Sequence, residues 1–219
     1  RKVDSRLIVD TMSIIGRCVV AGGVRRSAEI AFGDSDDSQF LDLKQDRDKL
    51  MEYRWTANHS VMASVGTDYG QLAERSTRNG EPGYFWLDTA RAYGRMKDAP
   101  DWSDGGGRGS NPCAEQTLWD RELCCLVETY PAHHANLEDF QHTLQLAYLY
   151  AKTVTLIPTG DETTNAVMLR NRRIGCSMTG VVQAINRFGY RQFFEWCDRA
   201  YGYLQALDRA ETRAAEQHF

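Results

Sequence analysis

The sequence predicts an α/β fold with mainly parallel strand pairing, on three observations. Apolar residues recur at helical spacing in several long stretches, short β-branched or alternating runs fall between them, and Gly- and Asp-rich turns separate the two kinds of segment. With 219 residues, 42 % of them hydrophobic, the chain can bury a core as one large domain or two small ones. Neither an internal repeat nor a clear linker divides it.

Leu7, Ile8, Met12 and Ile15 fall on roughly one helical face, with Asp4 or Ser5 placed to cap the helix and Gly16 to stop it. "CVVAGGVRRSAEIAFGD" then reads as an ordered loop around a Gly-Gly pair and a double arginine, leading into a strand at 28–32. "GDSDDSQ" is a solvated turn. "DRDKLMEYR" is a short helix with acids at its favourable amino end. "SVMASVG" alternates as a strand does, a helix over 69–75 ends before the turn "NGEPG", and "FWLDTARAYGR" resumes helical spacing. "DWSDGGGRGSNP" reads as a flexible approach to Cys113, and "LCCLVE" as a buried strand. Asn136 caps a long helix with Phe140, Leu144, Ala147, Ala151 and Val154 in line. A last helix from about Arg191 turns Phe193, Cys197, Ala200 and Leu204 inward.

A formal net charge of −4 argues against a nucleic-acid polymer as partner. No run approaches the roughly 18 apolar residues that span a bilayer, and the amino end carries acids where a signal peptide needs an apolar core, so a cytoplasmic setting is expected. Six cysteines are too few for a disulfide scaffold, and reducing conditions keep most of them as thiols, so that any disulfide is transient and not structural. The start at Arg1, without an initiator methionine, reads as a segment of a longer protein.

The chemistry concentrates in "GSNPCAEQTLWDRELCCLVETYP", residues 109–131. Asn111, Cys113 and Glu115 alternate, so in an extended segment an amide, a thiol and a carboxylate share one side. Pro112 stiffens the tip and the preceding glycines permit close approach. A surface turn with an incidental cysteine is the competing reading. Cys124 and Cys125 are adjacent in an apolar strand and face opposite sides, and packing of both is the simplest account of them. Cys113, Cys124, Cys125, His133 and His134 offer soft ligands, but an eleven-residue gap and a vicinal pair do not match zinc spacing, and no metal site is assigned.

The pattern "NPCAEQTL…E.C.L.E..P" resembles the active-site loop of ribonucleotide reductases. The resemblance is strongest to the adenosylcobalamin-dependent (class II) ribonucleoside-triphosphate reductases. It continues through "VVAGGVRRSAEIAFGD", "NGEPGYFWLDTARAYGR", "YAKTVTL" and "NRRIGCSMTG", and so covers nearly the whole chain. It implies part of that family's ten-stranded α/β barrel, with a central finger loop carrying the radical cysteine. The chain is then a single catalytic-barrel segment over 1–219, an incomplete domain, with a specificity-loop region at 1–33 and the finger loop and following strand at 105–131.

The resemblance implies that Cys113 is the thiyl-radical residue that removes the 3′ hydrogen of the substrate ribose. Glu115 acts on the 3′ hydroxyl as general base, Asn111 holds the ribose, and Ser110 and Pro112 complete the substrate-facing loop. Cys124 matches one half of the cysteine pair oxidised as the 2′ hydroxyl leaves, with Cys125 as packing, although the two assignments can be exchanged. Gly22, Gly23, Arg25 and Arg26 resemble the loop that senses a deoxynucleotide effector, against the plainer reading of a strand edge with solvated arginines. Cys18 reads as packed. Arg170, Arg172 and Arg173 read as a salt-bridged or solvated face, with phosphate contact as the alternative.

The implied cofactor is adenosylcobalamin, bound largely by parts outside this chain. The implied partners are a ribonucleotide substrate, a deoxynucleotide effector, a thioredoxin-like or other dithiol reductant, and the remaining segments of the reductase. The partner of Cys124, most of the effector-binding segment, the Gly/Ser-rich phosphate loop and a carboxy-terminal cysteine pair have no recognisable counterpart in these 219 residues. The isolated segment is therefore not expected to turn over. The alternative is a non-catalytic nucleotide-binding or assembly fragment that needs another chain to complete the barrel.

Overall fold

The computed structural model describes residues 3–23, 27–93 and 99–216, and the chain divides into two compact units, Arg1–Asp120 and Arg121–Phe219. Both mix helices with parallel strands, as the α/β reading requires.

The first unit opens with α1 (Ser5–Val20), capped by Asp4, whose carboxylate accepts from the Leu7 amide at 2.8 Å. Gly16 does not stop this helix. A Cβ there would lie 2.8 Å from Glu29 Oε1, so the glycine permits a close approach. The apolar stripe that signals the helix is not the face that packs: Leu7, Ile8, Met12 and Ile15 are exposed, while Val9, Ser13 and Gly16 are buried. Asp10 holds the packing side in place through the Arg54 guanidinium, at 2.6 and 2.8 Å. Cys18, expected to be packed, is exposed.

Next come β1 (Glu29–Asp34), the short helices α2 (Ser38–Leu41) and α3 (Arg47–Glu52), β2 (Ala57–Met62), α4 (Gly70–Asn79), β3 (Gly83–Phe85) and α5 (Leu87–Ala92). The sheet order is β1-β2-β3, all parallel, with Ile30 opposite Asn58, Phe32 opposite Ser60 and Met62 opposite Phe85. Alternation divides the side chains between two faces. On one, Ala31, Val61 and Tyr84 pack with Phe40, Leu41, Leu43 and Leu72. Gly33 is obligatory there, because a Cβ would lie 2.3 Å from the Phe40 ring. The other face carries Phe32, Asn58, Ser60 and Phe85, with the two Phe rings 5.2 Å apart. The strand expected from "SVMASVG" lies three residues earlier, since its alternation begins in "ANHS". The unit closes with an antiparallel hairpin, β4 (Gly109–Ser110) and β5 (Thr117–Leu118).

The second unit contains β6 (Leu126–Thr129), α6 (Leu137–Val154), α7 (Glu162–Asn171), β7 (Gly175–Met178), α8 (Val181–Phe188) and α9 (Tyr190–Glu216). Strands β6 and β7 pair in parallel, Val127 opposite Cys176 and Glu128 opposite Ser177. One face packs on the core of Phe140, Leu144, Ala184, Phe193, Trp196, Ala200 and Leu204. Asn136 caps α6 by accepting from the Asp139 amide at 2.9 Å. The expected inward positions Phe140, Leu144, Ala151, Phe193, Ala200 and Leu204 are buried, and Cys197 is partly so.

Candidate active site

The hairpin tip "NPCAEQ" is a tight turn, not an extended strand. The Ala114 amide donates to the Asn111 carbonyl at 2.9 Å, and Ala114 takes a left-handed φ of 65° to close the turn. Below it the Asn111 amide donates to the Gln116 carbonyl at 3.1 Å, and the Gln116 amide returns to Asn111 Oδ1 at 3.0 Å. Asn111 Nδ2 donates to Glu115 Oε1 at 2.6 Å. The expected meeting of amide and carboxylate therefore occurs, through the turn and not through strand alternation. Asn111 is buried, while Cys113 and Glu115 are exposed. Ser110 and Pro112 are half-buried, and the Ser110 hydroxyl donates to the Asn111 carbonyl at 2.9 Å.

The glycine-rich approach, expected to be flexible, is close-packed. A Cβ on Gly106 would lie 2.5 Å from the Trp119 ring, on Gly107 2.8 Å from Thr117 Cγ2, and on Gly109 3.0 Å from the Phe32 ring. Arg91 Nε donates to the Gly107 carbonyl at 2.8 Å. The Gly109 contact seats the hairpin on the Phe32 face of the sheet, and Arg91 ties its base to α5. Asn58, on that same face, donates from Nδ2 to the Pro112 carbonyl at 2.7 Å. Sequence reasoning missed Asn58. The available signal was a run of polar residues at every second position of a strand, Asn58 and Ser60, on a face with something polar to meet.

Cys124 and Cys125 lie in the second unit, just before β6. The Gly175 amide donates to the Cys125 carbonyl at 2.9 Å, so the pairing with β7 extends back to that residue. Exposure alternates from there: Cys124, Leu126 and Glu128 are exposed, while Cys125 and Val127 are half-buried and Thr129 is buried. Burial and the nearby Glu122 charge push the Cys125 thiol above its ordinary pKa. On the open face Glu128 accepts from the Thr179 hydroxyl at 2.6 Å and from the Ser177 hydroxyl.

Gly22 and Gly23 follow α1 with open space where a Cβ would stand, and Gly23 has φ 77°. A hollow of about 320 Å³ beside them is lined by Val20, Gly23, Ser27, Trp55 and Thr56. Arg25 and Arg26 lie outside the described residues. The basic cluster in "LRNRRIG" is largely salt-bridged and internally bonded. Arg173 Nε pairs with Glu122 Oε1 at 3.0 Å, and Arg172 donates to the Lys152 carbonyl at 3.1 Å. Among the described residues no three His, Cys, Asp or Glu side chains converge as metal ligands, no disulfide forms, and no helix is long and apolar enough to cross a membrane. A hollow of about 370 Å³ in the second unit, between the start of α6 and the α8–α9 pair, contains none of the predicted site residues.

No family model matches the chain. It is 50 % identical over 203 residues to the adenosylcobalamin-dependent ribonucleoside-triphosphate reductase of Euglena gracilis, covering 92 % of this chain and 28 % of that protein. Over 211 residues it is 48 % identical to the probable adenosylcobalamin-dependent ribonucleoside-triphosphate reductase of Dictyostelium discoideum, covering 95 % and 28 %. The corresponding reductase of Lactobacillus leichmannii is 42 % identical over 186 residues, covering 83 % and 25 %. The crystal structure of a B12-dependent (class II) ribonucleotide reductase superposes with a TM-score of 0.72 at 38 % identity, over 83 % of this chain and 25 % of that one. The chain thus spans about a quarter of the length of the relatives it matches.

Proposed function

Because the chain is homologous to a segment of the adenosylcobalamin-dependent ribonucleoside-triphosphate reductases, we propose that it supplies the radical-bearing loop and one redox cysteine for reduction of ribonucleotides to deoxyribonucleotides. The observation that carries this reading is the hairpin tip. An exposed thiol, Cys113, stands two residues from a carboxylate held by Asn111 at 2.6 Å, on a loop pinned to a sheet.

In this reading residues 1–219 are one segment of the catalytic barrel, with the specificity region at 1–33 and the finger loop and following strand at 105–131. As a thiyl radical, Cys113 takes the 3′ hydrogen atom: the C3′–H bond breaks and an S–H bond forms. Glu115 accepts the proton of the 3′ hydroxyl. Asn111 holds the ribose and, through its bond to Glu115, keeps this carboxylate in one orientation, while Ser110 and Pro112 shape the wall the ribose meets. The 2′ hydroxyl leaves as water, and Cys124 and a second cysteine outside this chain provide the two electrons by closing a disulfide. Cys113 then returns its hydrogen to C3′. A dithiol reductant of the thioredoxin kind reopens the disulfide, and a deoxynucleotide effector acts through Gly22 and Gly23 together with Arg25 and Arg26.

Adenosylcobalamin, when bound, supplies the oxidising equivalent that generates the Cys113 radical. An accessible thiol at a loop tip fits that role, and the cofactor is held largely by residues outside this chain. The enzyme is cytoplasmic, and the segment alone does not turn over.

In a complete reductase carrying this segment, Cys113→Ala removes all turnover. Cys124→Ser retains exchange of the 3′ hydrogen and loses dithiol-dependent product formation. Near-normal turnover by Cys113→Ala would overturn the reading. The assembly-fragment reading is favoured by one observation, the exposed apolar stripe of α1. A stable complex with neighbouring segments, without nucleotide reduction, would select it.

A further inference from the structure

The hairpin that carries Cys113 is pinned to the sheet at its tip through one side chain to which the functional reading assigns no role in the reaction. Asn58 lies in the middle strand, β2, at a position paired with β1, where its Cα stands opposite Ile30. Its Nδ2 donates to the Pro112 carbonyl at 2.7 Å, across 54 residues of sequence. We propose that Asn58 is a positioning residue for the reaction, setting the direction in which the Cys113 thiol points; this rests on the reading of Cys113 as the radical residue.

One peptide group transmits the hold from Asn58 to Cys113. The peptide unit is planar, so fixing the Pro112 oxygen fixes the plane that ends at the Cys113 nitrogen. The proline ring removes the φ freedom behind that plane. On the far side, the bond from the Ala114 amide to the Asn111 carbonyl closes the turn at 2.9 Å. Held on both sides, Cys113 keeps rotation about its Cα–Cβ bond as its main freedom. Without Asn58, the Pro112–Cys113 plane tilts about the turn while the hairpin stays in place, since Arg91, Gly107 and Gly109 hold its base independently. A hydrogen-atom transfer demands close alignment, and a misplacement of about 1 Å can lower the rate by about 100-fold. The anchor sits on a strand and not on a loop, which is where a precise support has to be.

The test uses a complete reductase carrying this segment, with Asn58→Asp, Asn58→Gln and, in parallel, Cys113→Ala. The Asp side chain has the same size but presents an acceptor to the Pro112 carbonyl. It is expected to lower kcat and the rate of 3′ hydrogen exchange by about 10- to 100-fold, at unchanged KM and unchanged melting temperature. The Gln variant, which keeps the donor, recovers part of kcat. Normal kcat in Asn58→Asp beside an inactive Cys113→Ala overturns the positioning role and leaves the radical assignment standing. A fall in melting temperature that parallels the loss of kcat overturns it too, in favour of a structural role. Turnover by Cys113→Ala removes the premise of both.

Discussion

In the first unit the β1–β2–β3 sheet has a partner on each face, the Phe40 cluster on one and the β4–β5 hairpin on the other. In the second unit the β6–β7 pair has helices on one face, while the other exposes Leu126, Glu128 and, one step back, Cys124. The two thiols of the proposed chemistry are accordingly placed by different physics. Cys113 is set by a turn whose backbone bonds are supplemented by side-chain bonds from Asn58 and Asn111, each of which a single substitution can remove. Cys124 stands two residues before β6 and continues the exposed positions Leu126 and Glu128, a placement that follows strand alternation and changes when the register slips.

The largest expected effects test whether each sheet depends on its own core. Arg54 is buried and bonded to Asp10 and to the Leu43 carbonyl at 2.6 Å. Arg54→Ala leaves both partners uncompensated and should cost about 3–5 kcal/mol. Phe140, fully buried in the second unit, should cost about as much on truncation to Ala, roughly 3–5 kcal/mol. Hydrogen exchange resolved by segment is the measurement. Protection should fall in β1–β3 for the first variant and in β6–β7 for the second, and uniform loss in either would break the comparison.

A smaller effect separates the units by pH. His59 is buried in the core face of β2. Burial first, and then the Lys44 and Arg54 charges, depress its pKa from 6.5 to about 3, with Asp10 opposing. In the unfolded chain the imidazole takes up its proton near 6.5, so this contribution is whole above that pH and is lost progressively as pH falls toward 3. Asp10 adds to acid sensitivity only lower down. Burial opposes its ionisation, but the bond and charge of Arg54 outweigh that and hold it below 3.8, so its share is lost as pH falls through that depressed value. His59→Gln should flatten the stability of the first unit across the upper window, as followed by urea denaturation at a series of pH values. An unchanged slope would show that His59 is not the group titrating.

How much of this could be read beforehand follows from the length of each signal. α6 and α9 repeat their apolar spacing over several turns, so their inward residues were legible, whereas "LCCLVE", read as a buried strand with both cysteines packed, leaves Leu123, Cys124, Leu126 and Glu128 exposed and becomes strand only from Leu126, because one of its faces has no helix against it. β3, β4, β5 and β7 run for two to four residues, too few for a period to emerge. Gly16, Gly106, Gly107 and Gly109 look like breakers or hinges in sequence, yet each marks a contact with a residue distant along the chain or across a hairpin. The Asn111–Glu115 meeting was anticipated from alternation and realised by a turn. The residue types were informative, whereas the left-handed Ala114 that closes the turn has no sequence signal, since alanine seldom adopts that conformation. Asn58 was only half legible: its polar alternation with Ser60 marks the face, but its partner is a backbone carbonyl, which no side-chain pattern announces.

The smallest effect bears on the open face itself. Leu126 and Val127 are neighbours in β6 and point to opposite sides. A Thr at Val127 places a hydroxyl toward the helices, with an expected cost of about 1–3 kcal/mol. A Thr at Leu126, 46 % exposed, should change stability by no more than about 0.5 kcal/mol. Thr is a good strand former, so neither change is confounded by propensity. Denaturation of both variants at two protein concentrations decides the matter. If Leu126→Thr costs as much as Val127→Thr, and does so only at the higher concentration, the open face is covered by another copy in solution. In that case the contrast between the two sheets belongs to the single chain alone.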